Sequence, residues 1–150
     1  QDEDRPGSVL TAIEDLRGTL ISTAKHLHIE LAWDLDEGLQ DDQVNDAPSL
    51  SAALSNLVLN AIQAGKQVTV AARKNDNQTA SVTVTDNGPG PPADLRNDLF
   101  EPFVTSKPEG LGLGLPLVQR AAQRLGGSVQ WIRENERTVF ELRFKLTKSA

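Results

Sequence analysis

The chain contains no cysteine, no methionine and no tyrosine among its 150 residues. Without cysteine there can be no disulfide, no thiolate metal site and no cysteine nucleophile, and the cytoplasm is the natural expectation. With no methionine even at position 1, the sequence reads as a piece of a longer protein or a processed one. Aromatic residues make up only 4%, too few for the stacking platforms that hold single-stranded nucleic acid. No apolar run approaches the roughly 18 residues of a membrane helix, and no signal-peptide pattern opens the chain, so no direct membrane insertion is expected. Positive charge is scarce as well. The 15 Lys and Arg against 21 Asp and Glu leave a net charge of −6, which argues against broad binding to nucleic acid or anionic membrane. A single nucleotide, which needs only a local positive patch, remains compatible with that balance.

The chain is long enough for one domain with a core, and 38% hydrophobic residues are ordinary for a globular protein. Residues 1–7 read as a linker or free end, 8–146 as the domain and 147–150 as a tail. Val9, Ile13, Leu16, Leu20, Ala24 and Leu27 recur at steps of three and four, which predicts an amphipathic helix capped by Ser8. Alternation through Ile29, Leu31, Trp33 and Leu35 predicts a half-buried strand. An acidic loop follows, with a short strand near Val44. Pro48 and Ser49 open a second helix that runs to about Ala64, with Gly65 as its stop. Two strands, 67–73 and 79–85, form a hairpin through a polar tip. Residues 86–110 make a long loop rich in Pro, Gly and Asp, the kind that serves as a functional lid or is disordered. A third helix over 113–125 ends at Gly126-Gly127, and strands over 128–133 and 138–146 close the domain. Helices interleaved with hairpins predict an α/β (α+β) two-layer sandwich. Its mixed sheet has about five strands and is covered on one face by three helices.

Four stretches carry chemistry. On the second helix, Asn56, Asn60 and Gln63 form a polar stripe, read as lying opposite the apolar face. No charged residue occurs from Ala47 to Gly65, whereas a solvated helix face normally carries Glu, Lys or Arg. Neutral amide oxygens can complete the shell of a magnesium ion held by phosphates without repelling them. Asp86-Asn87-Gly88-Pro89-Gly90 could be an ordinary turn. As a site, its carboxylate would accept from an adenine amino group while glycine lets the backbone approach the base. In the run 99–107, Phe100 and Phe103 would anchor a lid and Lys107 would neutralise a terminal phosphate. Gly110-Leu111-Gly112-Leu113-Gly114 precedes a helix, where backbone N–H groups and the helix dipole favour phosphate. Its spacing fits neither the P-loop nor the dinucleotide fingerprint.

In this order, the four stretches resemble the boxes of the catalytic and ATP-binding domain of bacterial sensor histidine kinases. That group includes DNA gyrase, mismatch-repair and heat-shock chaperone ATPases, which share the Bergerat ATP-binding fold. The phrase Asn60-Ala61-Ile62-Gln63-Ala64 and the run 100–114 are most similar to nitrogen-regulation and flagellar-regulation sensor kinases. The resemblance implies ATP or ADP and Mg2+ as ligands. It implies that Asn60 ligates magnesium, Asn56 supports the phosphate and metal region, and Asp86 binds adenine between Gly88 and Gly90. Gln63, Phe103, Thr105, Lys107, Gly110, Leu111, Gly112, Leu113 and Gly114 would complete the nucleotide contacts, with Asn56 and Lys107 as catalytic residues.

The resemblance also implies partners, namely a dimerisation and phosphoacceptor domain of the same kinase and a response regulator, with the isolated domain a monomer. Two departures matter. The position of Asn56 carries Glu in the chaperone-like ATPases, so efficient hydrolysis is not expected. The phosphoacceptor-histidine motif is absent, and His26 and His28 read as structural or exposed. The alternatives are a serine-directed switch kinase or slow ATPase of the same fold, and a non-catalytic nucleotide sensor.

Overall fold

The computed structural model describes residues 5–101 and 111–147, with backbone alone for 111–113. The elements are β1 (Gly7–Ser8), α1 (Val9–His26), β2 (Glu30–Leu35), β3 (Gln43–Val44), α2 (Ala47–Ala64), β4 (Gln67–Lys74), β5 (Thr79–Asp86), α3 (Leu111–Arg124), β6 (Ser128–Glu134) and β7 (Arg137–Lys145). Short 3-10 segments occur at Glu37–Leu39 and Ala93–Asp98. One sheet has the order β2-β4-β5-β7-β6. β2 runs parallel to β4, and the other neighbours pair antiparallel. This is the mixed five-stranded sheet expected from the sequence.

Alternation decides which face is covered. Leu31, Trp33 and Leu35 on β2, Val68, Val70 and Ala72 on β4, and Ala80, Val82 and Val84 on β5 share one face, with Phe140, Leu142 and Phe144 on β7 and Val129 and Trp131 on β6. Those of β4, β5 and β7 are buried, together with Leu50, Leu54, Leu57 and Val58 of α2 and Leu115, Val118 and Ala122 of α3. The opposite face carries Thr69, Thr83, Glu141 and Gln130 and is the polar side.

Local chemistry sets the helix ends. Ser8 Oγ accepts from Thr11 N at 3.2 Å and caps α1 as the sequence predicts. Its C-terminus closes with Ile29 N donating to Ala24 O and His28 N donating to Lys25 O, which puts His28 in the left-handed region at φ 58°. Glycine takes that conformation without the steric cost of a Cβ. His28→Gly is therefore expected to stabilise the domain by about 1 kcal/mol, read as a higher urea midpoint at unchanged slope. A midpoint that stays or falls would show that the imidazole matters beyond the cap.

α2 begins one residue earlier than the sequence suggested, at Ala47, because Asp46 is its cap. Asp46 accepts from Ser49 N and Oγ and from Arg124 Nε and Nη2 near the end of α3. Burial pushes its carboxyl up, but the Ser49 bonds and Arg124 outweigh that and leave it below the usual range. This carboxylate thus ties two helices together. Bonded structure also runs past residues 8–146, since Ala47 N donates to Arg5 O and Gln43 bridges Thr147.

Candidate functional site

At one end of the covered face, the apolar rows give way to a row of Val68, Asp86, Thr138 and Arg133 across β4, β5, β7 and β6. Asp86 and Thr138 are polar yet only 4% and 2% exposed. Gly88 N donates to Asp86 Oδ1 at 2.8 Å. Burial pushes the Asp86 carboxyl up from its ordinary value, against the pull of the Gly88 N–H and of the Arg133 charge. A buried carboxylate so placed gains most from a ligand that brings N–H donors.

The Asp86–Gly90 turn is packed, not loose. Asn87 Oδ1 accepts from Lys66 N and Gln67 N, at 2.9 and 3.0 Å, and so clasps the connection between α2 and β4. A Cβ on Gly88 would lie 2.6 Å from the Ala64 carbonyl carbon and closer still to its oxygen. Gly90 has φ +84°, and a Cβ there would press on Arg133. Both predicted site glycines are thus required by geometry.

α2 orders the remaining groups. Ala64, at its end, meets Gly88. Asn60 is one turn back and half-buried, and its Nδ2 is buried without a hydrogen-bond partner among the described residues. Asn56 is two turns back, donating Nδ2 to Ala52 O at 2.8 Å. A Cβ on Gly114 would come 2.9 Å from Asn56 Oδ1, so Gly114 lets the first turn of α3 seat against Asn56. At 1.5 Å per residue, Ala64 to Asn56 spans about 12 Å, a length suited to a nucleotide laid along the helix.

Three expectations change. The Asn stripe does not lie opposite the apolar face. α2 packs against both α1 and α3; Asn56 sits half-buried against Gly114 of α3, Asn60 is half-buried one turn on, and Gln63 is exposed. The glycine run does not simply precede α3. The helix starts at Leu111, so Gly112 and Gly114 lie in its first turn. Residues 93–98, read as loop, form a short 3-10 helix, after which Leu99 is buried and Phe100 sets edge-on to Phe140 with ring centroids 6.3 Å apart. Phe103, Thr105, Lys107 and Gly110 lie outside the described residues, as do the side chains of Leu111 and Leu113.

Thr138 and Arg133 were not foreseen. A signal for Thr138 exists, since it is the one polar residue in the inward series that continues with Phe140, Leu142 and Phe144. Among the described residues, no group of three His, Cys, Asp or Glu could cage a metal, and no helix is long and apolar enough to cross a membrane.

The sequence matches the family of histidine kinase-, DNA gyrase B- and HSP90-like ATPases over residues 45–148. The chain belongs to this family. Among characterised relatives, the sensor histidine kinase ZraS of Salmonella typhi is 37% identical over 110 residues, covering 71% of this chain and 23% of the relative. The sensory histidine kinase/phosphatase NtrB of Rhizobium leguminosarum bv. phaseoli is 46% identical over 67 residues, covering 45% of this chain and 18% of the relative. The chain thus spans less than a quarter of the length of either curated relative. Among solved structures, the catalytic domain of histidine kinase ThkA superposes with a TM-score of 0.84 at 23% identity, over 96% of each chain. Full-length ShkA, solved in complex with AMPPNP, gives 0.80 at 25% identity, covering all of this chain and 32% of ShkA. The domain is of the ATP-binding catalytic type found in sensor histidine kinases.

Proposed function

We propose that the domain binds ATP with magnesium along α2 and donates the γ-phosphoryl group to a histidine on a separate dimerisation domain, for relay to a response-regulator aspartate. One observation carries most of this reading. The buried Nδ2 of Asn60, without a partner among the described residues, stands one helical turn from the Ala64–Gly88 contact. A buried polar group without a partner is costly, and a magnesium-phosphate ligand would relieve it once the amide turned its oxygen forward. The donor set fits such an ion, because hard oxygen ligands from one side chain suffice when phosphates supply others.

In this reading Asp86 accepts from the adenine amino group, which selects against guanine, whose carbonyl would face the carboxylate. Gly88 and Gly90 let the base lie close to backbone. Asn60 holds the metal, and Asn56 orients the phosphate end beside Gly114. Lys107, Gly110, Gly112, Thr105 and Phe103 serve the lid and phosphates, with Leu111 and Leu113 beside them. Bound magnesium would neutralise charge on the phosphate oxygens. Asn56 is already engaged with Ala52 O, and a neutral amide is no base, so water activation is weak and transfer to an acceptor is favoured over hydrolysis. The protein's contribution is then position and charge.

Mixing the domain with its dimerisation domain and γ-labelled ATP should give acid-labile, base-stable label on a histidine. No label, with ATP binding intact, would leave a nucleotide sensor instead.

A further inference from the structure

Arg133 reaches the site because the β6–β7 hairpin is tight. Asn135 and Glu136 both take left-handed conformations, φ 52° and 62°, as the two central residues of a hairpin that matches strand twist. The pairing that follows sets Arg133 opposite Thr138. A slip of one residue would turn Arg133 to the polar face. In place, one nitrogen does two jobs. Nη1 donates to Gly88 O at 2.6 Å and to Thr138 Oγ1 at 2.9 Å. The side chain lies under Gly90, whose Cβ, if present, would meet Cδ, Nε and Nη1 at 3.2 Å.

We propose that Arg133 is a positioning residue for the base pocket, locking the Gly88–Gly90 turn onto β7 and aiming the Thr138 hydroxyl. This rests on the nucleotide reading above. A guanidinium only donates. Thr138 Oγ1 therefore accepts from it and directs its own proton elsewhere, towards Asp86 on the neighbouring strand, a purine nitrogen or a bridging water. Asp86 is flanked by Val68 on β4 and Thr138 on β7, with the Ala64 carbonyl end of α2 behind Gly88. Among the described residues Arg133 is thus the charged group that bears on it, and its charge favours the ionised carboxylate needed to accept from a base. The backbone carbonyl of Gly88 is held at the same time, so one side chain couples the shape of the turn to the state of its acceptor.

The test compares Arg133→Met and Arg133→Lys with the unaltered domain. ADP and tripolyphosphate, each with magnesium, are titrated by calorimetry, and the Asp86 carboxyl carbon is followed by NMR against pH without ligand. Arg133→Met should weaken ADP about tenfold and leave tripolyphosphate affinity unchanged. Its Asp86 should titrate at higher pH than in the unaltered domain. Arg133→Lys should recover part of both effects. Unchanged ADP affinity in Arg133→Met would overturn the proposal. So would equal losses for both ligands, the signature of a merely structural arginine. If the unaltered domain binds neither ligand, the nucleotide reading itself fails. An Asp86 titration unmoved by Arg133→Met would then overturn the positioning role as well.

Discussion

Gly88→Ala is expected to destabilise the domain by about 3 kcal/mol and to abolish ADP binding. The added methyl would meet the carbonyl of Ala64, backbone at the end of α2, so no side chain can rotate away to make room. Either the turn lifts from the helix or α2 shifts at its C-terminus. In the first case Gly88 N leaves Asp86 Oδ1, now bonded at 2.8 Å, and the carboxylate loses the donor that orients it. In the second, Asn87 loses its grip on Lys66 N and Gln67 N and the α2–β4 connection loosens. Both routes damage stability and site together. Urea denaturation and ADP calorimetry on the purified variant measure the two effects. A variant with normal stability and affinity would mean that the turn is far more yielding than its packing indicates.

Asp86→Asn should do the opposite to stability while weakening ADP about a hundredfold, the scale of a hydrogen bond to a charged group. The amide is isosteric, so packing is preserved, but its NH2 cannot accept from a base amino group. Stability should hold or rise at neutral pH, because a carboxyl raised by burial is held ionised at an energetic cost. The sign follows from linkage. A carboxyl whose folded-state pKa is raised favours the fold while protonated, and that contribution is lost as pH rises through the folded value. Affinity runs the other way, since adenine needs the ionised acceptor. Wild-type ADP affinity should therefore fall as pH drops through the raised Asp86 value, and the Asn variant should lack that dependence. Tripolyphosphate, which has no base, should bind both forms equally. If it weakened in parallel with ADP, Asp86 would be shaping the turn and not reading the base.

Much of this architecture was legible in the residues. Alternation through Ile29, Leu31, Trp33 and Leu35 marked the first strand of the main sheet, and polar or glycine-rich turns bounded the hairpin strands. Ser8 announced α1 through its own hydroxyl. The uncharged stretch of α2 was read as a site for a magnesium-bound phosphate, with one apolar face; that α2 packs on both α1 and α3 was not read, because a single helical wheel cannot say where a second neighbour sits. That is why the Asn stripe was assigned to the side away from the core. Asn56 borders α3, whose approach depends on Gly114 across more than fifty residues of chain. Asp46 was missed as a cap because Pro48 and Ser49 offered a competing start signal. Arg133 was invisible for a further reason. Its role depends on strand register, fixed by a hairpin turn built from Asn135 and Glu136 without the glycine that usually marks one. The turn at Asp86–Gly90 was legible because a turn of this kind at a strand end is local, readable in five residues.

The central claim is that Asp86, Gly88 and Asn60 along α2 form one site for ATP with magnesium. Calorimetric titration of ATP into the domain with and without magnesium, with Asn60→Ala in parallel, tests it most directly. Saturable one-to-one binding that magnesium strengthens in the unaltered domain, with that gain lost in Asn60→Ala, is the predicted result. Binding that ignores magnesium, or an Asn60→Ala variant with the full magnesium gain, would contradict it.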